Sequence, residues 1–127
     1  MIAQILVADD NADITEMLKD YLSLRNHRVV VVSDGFQLAQ KAGEYRPHLI
    51  ITDIQMPGAY GSAAYKVLQG DPNTAKIPII FISAHPYEKL KAILPQDAKT
   101  RFIQKPISFA QLEVHIKELL PLGGYVP

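Results

Sequence analysis

The sequence has no cysteine and no tryptophan, and its 13 basic residues are balanced by 13 acidic ones. Without cysteine the chain can form neither a disulfide framework nor a thiolate metal site. A net charge of zero lacks the basic footprint of a nucleic-acid-binding domain. The apolar runs are far shorter than the roughly 20 residues of a membrane-spanning helix, and no basic-then-apolar leader opens the chain. We therefore expect no direct nucleic-acid binding, no membrane span and a cytoplasmic location.

The length of 127 residues and the 48% hydrophobic content fit one globular domain with its own core. We predict that this domain covers residues 1–120. The remaining seven residues, 121–127, read Pro-Leu-Gly-Gly-Tyr-Val-Pro and are predicted to be a C-terminal tail or the start of a linker. Whether the domain stands alone or belongs to a larger protein stays open.

Short apolar runs alternate with segments of helical spacing, which predicts a (βα)5 chain. Because the runs are continuously apolar, both faces of the sheet should be covered, as in a parallel sheet with helices on each side. The expected fold is α/β, a flavodoxin-like doubly wound five-stranded parallel sheet with the order 2-1-3-4-5. The predicted strands lie at residues 5–8, 29–32, 49–52, 79–82 and about 102–103, and the predicted helices at 14–22, 36–45, 62–69, 86–93 and from Ser108 to Leu120.

Polar side chains follow four of these strands. Asp9 and Asp10 come after the first strand, Asp53 after the third, Ser83 after the fourth and Lys105 after the fifth. In the predicted order these four strands are neighbours, and ligands bind at their carboxyl ends. Strands three and five would lie roughly 10 Å apart, a gap that a lysine side chain can span. We expect the five side chains to converge.

Three carboxylates on one edge repel one another unless a cation is present. Oxygen ligands from one or two carboxylates favour Mg²⁺. We predict Asp10 and Asp53 as direct ligands, a backbone carbonyl such as that of Gln55 as another, and Asp9 as the residue that holds a metal-bound water.

This set of residues matches what phosphoryl transfer requires, namely positioning and cations. Asp53 would be the nucleophile. Mg²⁺ and Lys105 would neutralise the phosphoryl oxygens, and the Ser83 hydroxyl would donate a hydrogen bond to one of them.

Four motifs carry a family resemblance. They are LVADDN at residues 6–11, IITDIQMPG at 50–58, FISA at 81–84 and FIQKPI at 102–107. In order and spacing the sequence resembles a response-regulator receiver domain of two-component signalling over essentially residues 2–120.

The resemblance implies Mg²⁺-dependent transfer of a phosphoryl group to Asp53 from a histidine kinase or a histidine-containing phosphotransfer protein, followed by slow self-catalysed hydrolysis. It implies a signalling switch rather than an enzyme acting on a separate substrate. The switch residues would be Ser83 and Phe102, which remodel the face of helix four, strand five and helix five, and the Lys105–Pro106 bond would be cis. The output partner stays unknown, a phosphorylation-dependent homodimer stays open, and the residues expected to contact a partner are Tyr87, Lys91, Arg101 and Gln104.

The chain departs from the family pattern in the loop after Asp53. Receivers commonly carry a Met-Asp or Met-Ser pair before the glycine that is Gly61 here, whereas this chain has Ala59 and Tyr60. We expect that this loop packs differently and that Gln55 and His85 influence the lifetime of the phosphoryl group.

Simpler interpretations exist for each feature. Asp9, Asp10 and Asn11 could serve as a helix N-cap, and Asp53 could be a turn residue. A haloacid-dehalogenase-type phosphatase would need an Asp-x-Asp signature, but Gln55 stands at the third position. A dinucleotide-binding domain would need a G-x-G-x-x-G motif after the first strand, and none is present there. A degenerate receiver that serves only as an interaction module is disfavoured because every expected position is filled. The four histidines lack zinc-like spacing and are predicted to be surface residues.

Overall fold

The computed structural model describes residues 2–55 and 61–126, apart from the side chains of 61–63. Its elements alternate strand and helix as the hydrophobic pattern predicts. The strands are β1 (Gln4–Ala8), β2 (Arg28–Val32), β3 (Leu49–Asp53), β4 (Ile79–Ser83) and β5 (Thr100–Gln104). The helices are α1 (Ala12–Ser23), α2 (Gly35–Tyr45), α3 (Gly61–Gln69), α4 (Tyr87–Leu90) and α5 (Phe109–Leu119), and a 3₁₀ turn follows at Leu120–Gly123.

The five strands form one parallel sheet in the order β2-β1-β3-β4-β5, which confirms the predicted fold. All five residues of β3 and of β4 are buried, because helices cover both faces of these central strands. β2 and β5 are the edges. The neighbours β1, β3, β4 and β5 therefore bring their carboxyl ends to one edge of the molecule.

Side chains alternate along each strand, so each helical layer packs on its own set of strand residues. One core cluster joins strand residues such as Ile5 and Ile51 to apolar residues of α1 and α5. The other joins residues such as Leu6 and Phe81 to α2, α3 and α4. The site at the carboxyl ends of the strands thus rests on two fully packed layers.

Side-chain caps set the starts of three helices. The Asn11 side chain accepts a hydrogen bond from the amide of Asp13 at 3.0 Å, and Asp34 caps α2 in the same way. Ser108 accepts from the amide of Gln111 at 3.3 Å, which confirms the predicted cap of α5. Because Asn11 is the cap of α1, the carboxylates that precede it are available for other contacts.

The fourth helix is much shorter than predicted. We expected residues 86–93, but α4 has four residues, Tyr87–Leu90. Pro86 at its start provides no side-chain cap, and residues 91–94 continue as turns in which the amides of Ile93 and Leu94 both donate to the carbonyl of Leu90. Pro95 cannot donate a backbone hydrogen bond and disfavours helical geometry in the residue before it, so the helix cannot continue.

The chain continues to pack against the core past residue 120. The 3₁₀ turn brings Gly123 so close to β3 that an added Cβ would lie 1.9 Å from the carbonyl oxygen of His48. Tyr125 packs on the core cluster and meets the ring of His48 edge-on at 5.8 Å. The predicted end of the domain at residue 120 stays a prediction. The 3₁₀ turn that follows contacts the same core as the helices before it.

The longest helix in the described ranges is α1, with 12 residues. None of the helices there combines the length and the hydropathy needed to cross a lipid bilayer.

Candidate functional site

The predicted site residues meet at the carboxyl edge of the sheet. Asp9 directly follows β1, Asp53 is the last residue of β3, Ser83 is the last residue of β4, and Lys105 directly follows β5. The amide of Lys105 donates to the carbonyl of Ser83 at 2.7 Å, so the start of the loop after β5 stays attached to β4. The carboxylates and the lysine lie close together, as predicted.

Lys105 links two of the carboxylates. Its ammonium Nζ lies 2.7 Å from Asp53 Oδ2 and 3.0 Å from Asp9 Oδ2. The Asp9 side chain is fully buried, whereas 9% of the Asp53 side chain and 18% of the Lys105 side chain are exposed. Charges this poorly solvated are stable only when paired. The lysine thus reaches across β4, as its position after β5 predicts.

Asp9, Asp10 and Asp53 form an acidic cluster in which one carboxylate oxygen from each lies within 4.8 Å of the others. Asp10 is exposed, while Asp9 and Asp53 are buried. No second group of three His, Asp or Glu side chains with such spacing occurs in the described part of the chain. An all-oxygen donor set with one open side suits a hard divalent cation that retains water, so these residues fit Mg²⁺.

The two oxygens of the Asp53 carboxylate have different partners. Oδ2 accepts from Lys105, and Oδ1 accepts from the amide of Gln55 at 2.9 Å. The carboxylate is therefore fixed by its own loop on one side and by the lysine on the other. Gln55 contributes here through its N–H, a contact that the sequence analysis did not predict, and its predicted role as a carbonyl ligand stays a prediction.

Burial raises the pKa of Asp9, because desolvation disfavours its charge and the nearby Asp53 carboxylate repels it. The amide of Asn11, which donates to Asp9 Oδ1 at 2.9 Å, and the Lys105 charge partly offset this increase. Asp9 Oδ2 makes an ion pair with Lys105 but no well-directed hydrogen bond among the described residues. This oxygen can accept a further donor or cation.

The pKa of Lys105 is raised. Burial lowers it, but the hydrogen bond to Asp53, the close contact with Asp9 and the negative charges of both carboxylates together outweigh burial. The lysine therefore holds its positive charge in the site across the neutral pH range.

Ser83 and the switch residues lie next to this cluster. Ser83 is 1% exposed, and its Oγ accepts a hydrogen bond from the amide of His85 at 3.0 Å, which leaves the hydroxyl proton free to be donated. Phe102 on β5 is half-buried, and its ring packs against that of Tyr87 at 5.6 Å. The Lys105–Pro106 bond is cis, as the resemblance implies.

The histidines lie outside the acidic cluster. The prediction that they are surface residues is right for His85, which is exposed, but wrong for the other three, which are half-buried. His48, for example, accepts the amide of Gln4 on Nδ1 at 2.9 Å. Burial lowers the pKa of His27. Local packing decides these positions, and the sequence pattern around them does not reveal it.

Thr52 is a site residue that sequence reasoning missed. It precedes Asp53 on β3, is 1% exposed, and its hydroxyl donates to the carbonyl oxygen of Asp53 at 2.9 Å. Threonine is common in strands, so no motif distinguishes it. The predicted departures at Ala59 and Tyr60, and the Met56-Pro57-Gly58 part of the third-strand motif, lie outside the described residues.

Comparison with known proteins is consistent with this geometry. The sequence model of the response regulator receiver domain matches residues 5–117. The chain is 29% identical over 119 residues to the sensor histidine kinase TmoS of Ectopseudomonas mendocina, covering 94% of this chain but 12% of that protein. It is 27% identical over 116 residues to the polar-differentiation response regulator DivK of Brucella anthropi, covering 91% of this chain and 94% of that protein.

Solved structures have the same fold. The signal receiver domain of a histidine kinase from Syntrophus aciditrophicus is 30% identical, with a TM-score of 0.81 and coverage of 94% of this chain and 90% of that one. The receiver domain of a sensor histidine kinase from Pseudomonas aeruginosa PAO1 is 23% identical, with a TM-score of 0.86 and coverage of 95% and 99%. The family match spans most of the chain, and the chain therefore belongs to the response regulator receiver domain family of two-component signalling.

Proposed function

We propose that this domain accepts a phosphoryl group on Asp53 from a phosphohistidine of a histidine kinase or a histidine-containing phosphotransfer protein, in a Mg²⁺-dependent step. The observation that carries the proposal is Lys105 Nζ at 2.7 Å from Asp53 Oδ2 and 3.0 Å from Asp9 Oδ2, inside a cluster of three carboxylates. A positively charged lysine held against the carboxylate that would be phosphorylated is what stabilises an arriving phosphoryl group.

In the transfer, an oxygen of the Asp53 carboxylate bonds to phosphorus while the bond from phosphorus to the donor histidine nitrogen breaks. The electron pair of that bond goes to the imidazole nitrogen, which takes up a proton. Lys105 would move its hydrogen bond from the carboxylate to a phosphoryl oxygen, and the buried Ser83 hydroxyl would donate to another.

The residues that would hold the cation are Asp10, Asp53 and the Gln55 carbonyl, with Asp9 orienting a bound water. When bound, Mg²⁺ would neutralise charge that develops on the phosphoryl oxygens. Asp9 and Asp53 supply two buried carboxylates against the single positive charge of Lys105, so the described site has an excess of negative charge that favours a divalent cation.

The response to phosphorylation would be a change of shape. We propose that Ser83 and Phe102 act as the switch and that Pro106 helps to shape the loop that carries Lys105. The surface that changes would be formed by α4, β5 and α5. Its partner-contacting residues would be Tyr87 on α4, Lys91 at the end of that helix, and Arg101 and Gln104 on β5.

The chain spans 12% and 8% of the first two curated relatives, both of them histidine kinases, but 94% of a DivK relative. Both a single-domain regulator and a receiver within a larger kinase are thus found among its relatives. We propose a cytoplasmic switch whose only chemistry is its own phosphorylation and slow dephosphorylation, without direct binding to nucleic acid or membrane. Binding of an output partner and formation of a homodimer would be tested on the phosphorylated protein.

The test is the intact mass of the protein after incubation with acetyl phosphate and Mg²⁺. We expect a gain of one phosphoryl group in the wild type, and no gain for Asp53→Ala or in the presence of EDTA. If the acyl phosphate hydrolyses too fast for mass measurement, beryllofluoride, which mimics the phosphoryl group, tests the same site, and its binding is followed by NMR shifts in α4, β5 and α5. A wild type that gains no mass and does not bind beryllofluoride would contradict the proposal.

A further inference from the structure

The hydrogen-bond ladder between β1 and β3 stops just before Asp53. The last paired residues are Ala8 and Thr52. Beyond them β1 still bonds to β2, because the amide of Asp9 donates to the carbonyl of Val32 at 3.2 Å. The next bond toward β3 would join the amide of Asp10 to the carbonyl of Asp53. These two groups do not bond to each other.

The hydroxyl of Thr52 donates to the same carbonyl oxygen. It lies 2.9 Å from the Asp53 carbonyl oxygen in a buried environment, and the Thr52 side chain is 1% exposed. A buried carbonyl without a donor costs free energy, so strand ends require a substitute partner. Thr52 provides the substitute from within β3 itself, without a donor from β1.

This arrangement has a consequence for both carboxylates. On the β4 side β3 stays attached, because the amide of Ile54 donates to the carbonyl of Ile82 at 3.1 Å. On the β1 side the backbone of Asp10 is not tied to β3, and its carboxylate reaches within 4.8 Å of Asp9 and Asp53. The peptide of Asp53 is therefore held by Thr52 and by β4, while the amide of Asp10 makes no bond to that peptide.

We propose that Thr52 is a positioning residue for the phosphoacceptor and the cation site, because its hydroxyl replaces the missing bond from β1 and holds the Asp53 peptide while Asp10 faces the acidic cluster. The inference rests on the proposed function and extends it to a residue that does not touch the phosphoryl group. The hydroxyl, rather than the size of the side chain, is the essential part.

The test compares Thr52→Val, which keeps the shape and removes the hydroxyl, with Thr52→Ser, which keeps the hydroxyl. The matched control is Thr74→Val. Thr74 is 2% exposed, and its hydroxyl donates to the carbonyl of Leu68 at 2.7 Å, away from the sheet edge that carries the site. Thr74→Val therefore loses the same kind of buried contact without touching Asp53.

The measurements are the rate of phosphorylation by acetyl phosphate and the affinity for Mg²⁺ by calorimetry, on samples whose folding is checked by melting temperature and NMR. We expect Thr52→Val to lower the rate by about fivefold or more and to weaken Mg²⁺ binding, because one hydrogen bond holds the nucleophile. Thr52→Ser should recover most of both. Thr74→Val should lower the melting temperature and leave the rate and the affinity unchanged.

The inference is overturned if Thr52→Val keeps the wild-type rate and Mg²⁺ affinity, or if Thr74→Val reduces them equally. Should Thr52→Val fail to fold, Thr52→Ala and Thr52→Ser give the same comparison with and without a hydroxyl. A wild type that takes up no phosphoryl group contradicts the proposed function instead. In that case the Mg²⁺ affinities of the variants alone decide the role of Thr52. A wild type that also binds no Mg²⁺ overturns both the proposed function and the role of Thr52.

Discussion

The two ends of the sheet are held together by different interactions. At the carboxyl end of the strands, Asp9, Asp53 and Lys105 are removed from water and held by charge. At the amino end of β3, the turn that contains Gly123 and the ring of Tyr125 close the sheet by packing on His48. Packing lowers the free energy of the fold, whereas buried charges must first recover the cost of leaving water. The comparison indicates that packing at the amino end stabilises the fold, whereas the buried charges at the carboxyl end contribute less to stability.

The largest effect is expected at the carboxyl end, from Lys105→Met. The variant keeps the length of the side chain and removes the charge that pairs with Asp53 and Asp9. Phosphorylation by acetyl phosphate should slow by about 100-fold or more, because a preorganised cation is lost from the transition state.

Mg²⁺ affinity should rise in the same variant, because the lysine no longer neutralises the carboxylates. Lys91→Met, which removes a lysine from an exposed pair with Glu88, is the control and should change neither quantity. If Lys105→Met is phosphorylated at the wild-type rate, the lysine does not stabilise the transition state of phosphoryl transfer.

A large loss of stability is expected at the other end, from Gly123→Ala. The new Cβ would lie 1.9 Å from the carbonyl oxygen of His48, so the turn must move off β3. Overpacking of this kind costs about 1–3 kcal/mol of unfolding free energy, measurable by urea denaturation.

Gly43→Ala is the matched control, because its Cβ meets nothing within 4 Å. Gly43 lies inside α2, so alanine should stabilise that helix by about 0.5–1 kcal/mol. The folded Gly123→Ala protein should still be phosphorylated at the wild-type rate. A large loss of rate would mean that the two ends of the sheet are coupled.

The smallest effect concerns the pH dependence of stability through Asp9. Its pKa is raised in the fold, mainly by burial, so its contribution to stability is fully present below its unfolded pKa and is lost as pH rises through its folded pKa. Asp9→Asn has no such carboxylate. The wild type should therefore lose unfolding free energy relative to Asp9→Asn as pH increases from about 3 toward neutrality.

The measurement is urea denaturation of both proteins across that pH range. Asp34→Asn, which alters the half-buried cap of α2, is the control and should not reproduce the difference. If the unfolding free energies of the wild type and Asp9→Asn change in parallel with pH, the buried charge of Asp9 does not lower the stability of the fold.

The overall fold, and the meeting of Asp9, Asp53 and Lys105 at one edge of the sheet, could be predicted because both depend on strand periodicity and on which residues follow each strand. Asp53 and Lys105 are far apart in sequence, yet their positions after β3 and β5 fix their distance once the strand order is known. Hydrophobic spacing predicted the strands, and their order was taken from the common arrangement of five-stranded doubly wound sheets.

Other features depend on contacts that no local pattern encodes. The early end of α4 was missed because helical spacing continues past Leu90, whereas Pro95 and the turns after that residue prevent further helix. Pro121 ends α5 as predicted, but the chain then forms a 3₁₀ turn because proline is tolerated at the start of such a turn. Thr52 was missed because its role follows from the missing bond of Asp10.

The single turn of α4 has a consequence for how easily this segment opens. A helix of four residues has few backbone hydrogen bonds to protect, and two of its side chains, those of Glu88 and Lys89, are exposed. Amides in such a segment exchange with deuterium through local opening that costs far less than global unfolding. The segment that bears Tyr87 against Phe102 can therefore reorganise many times during the life of one folded molecule, while β3 and β4 beneath it stay closed.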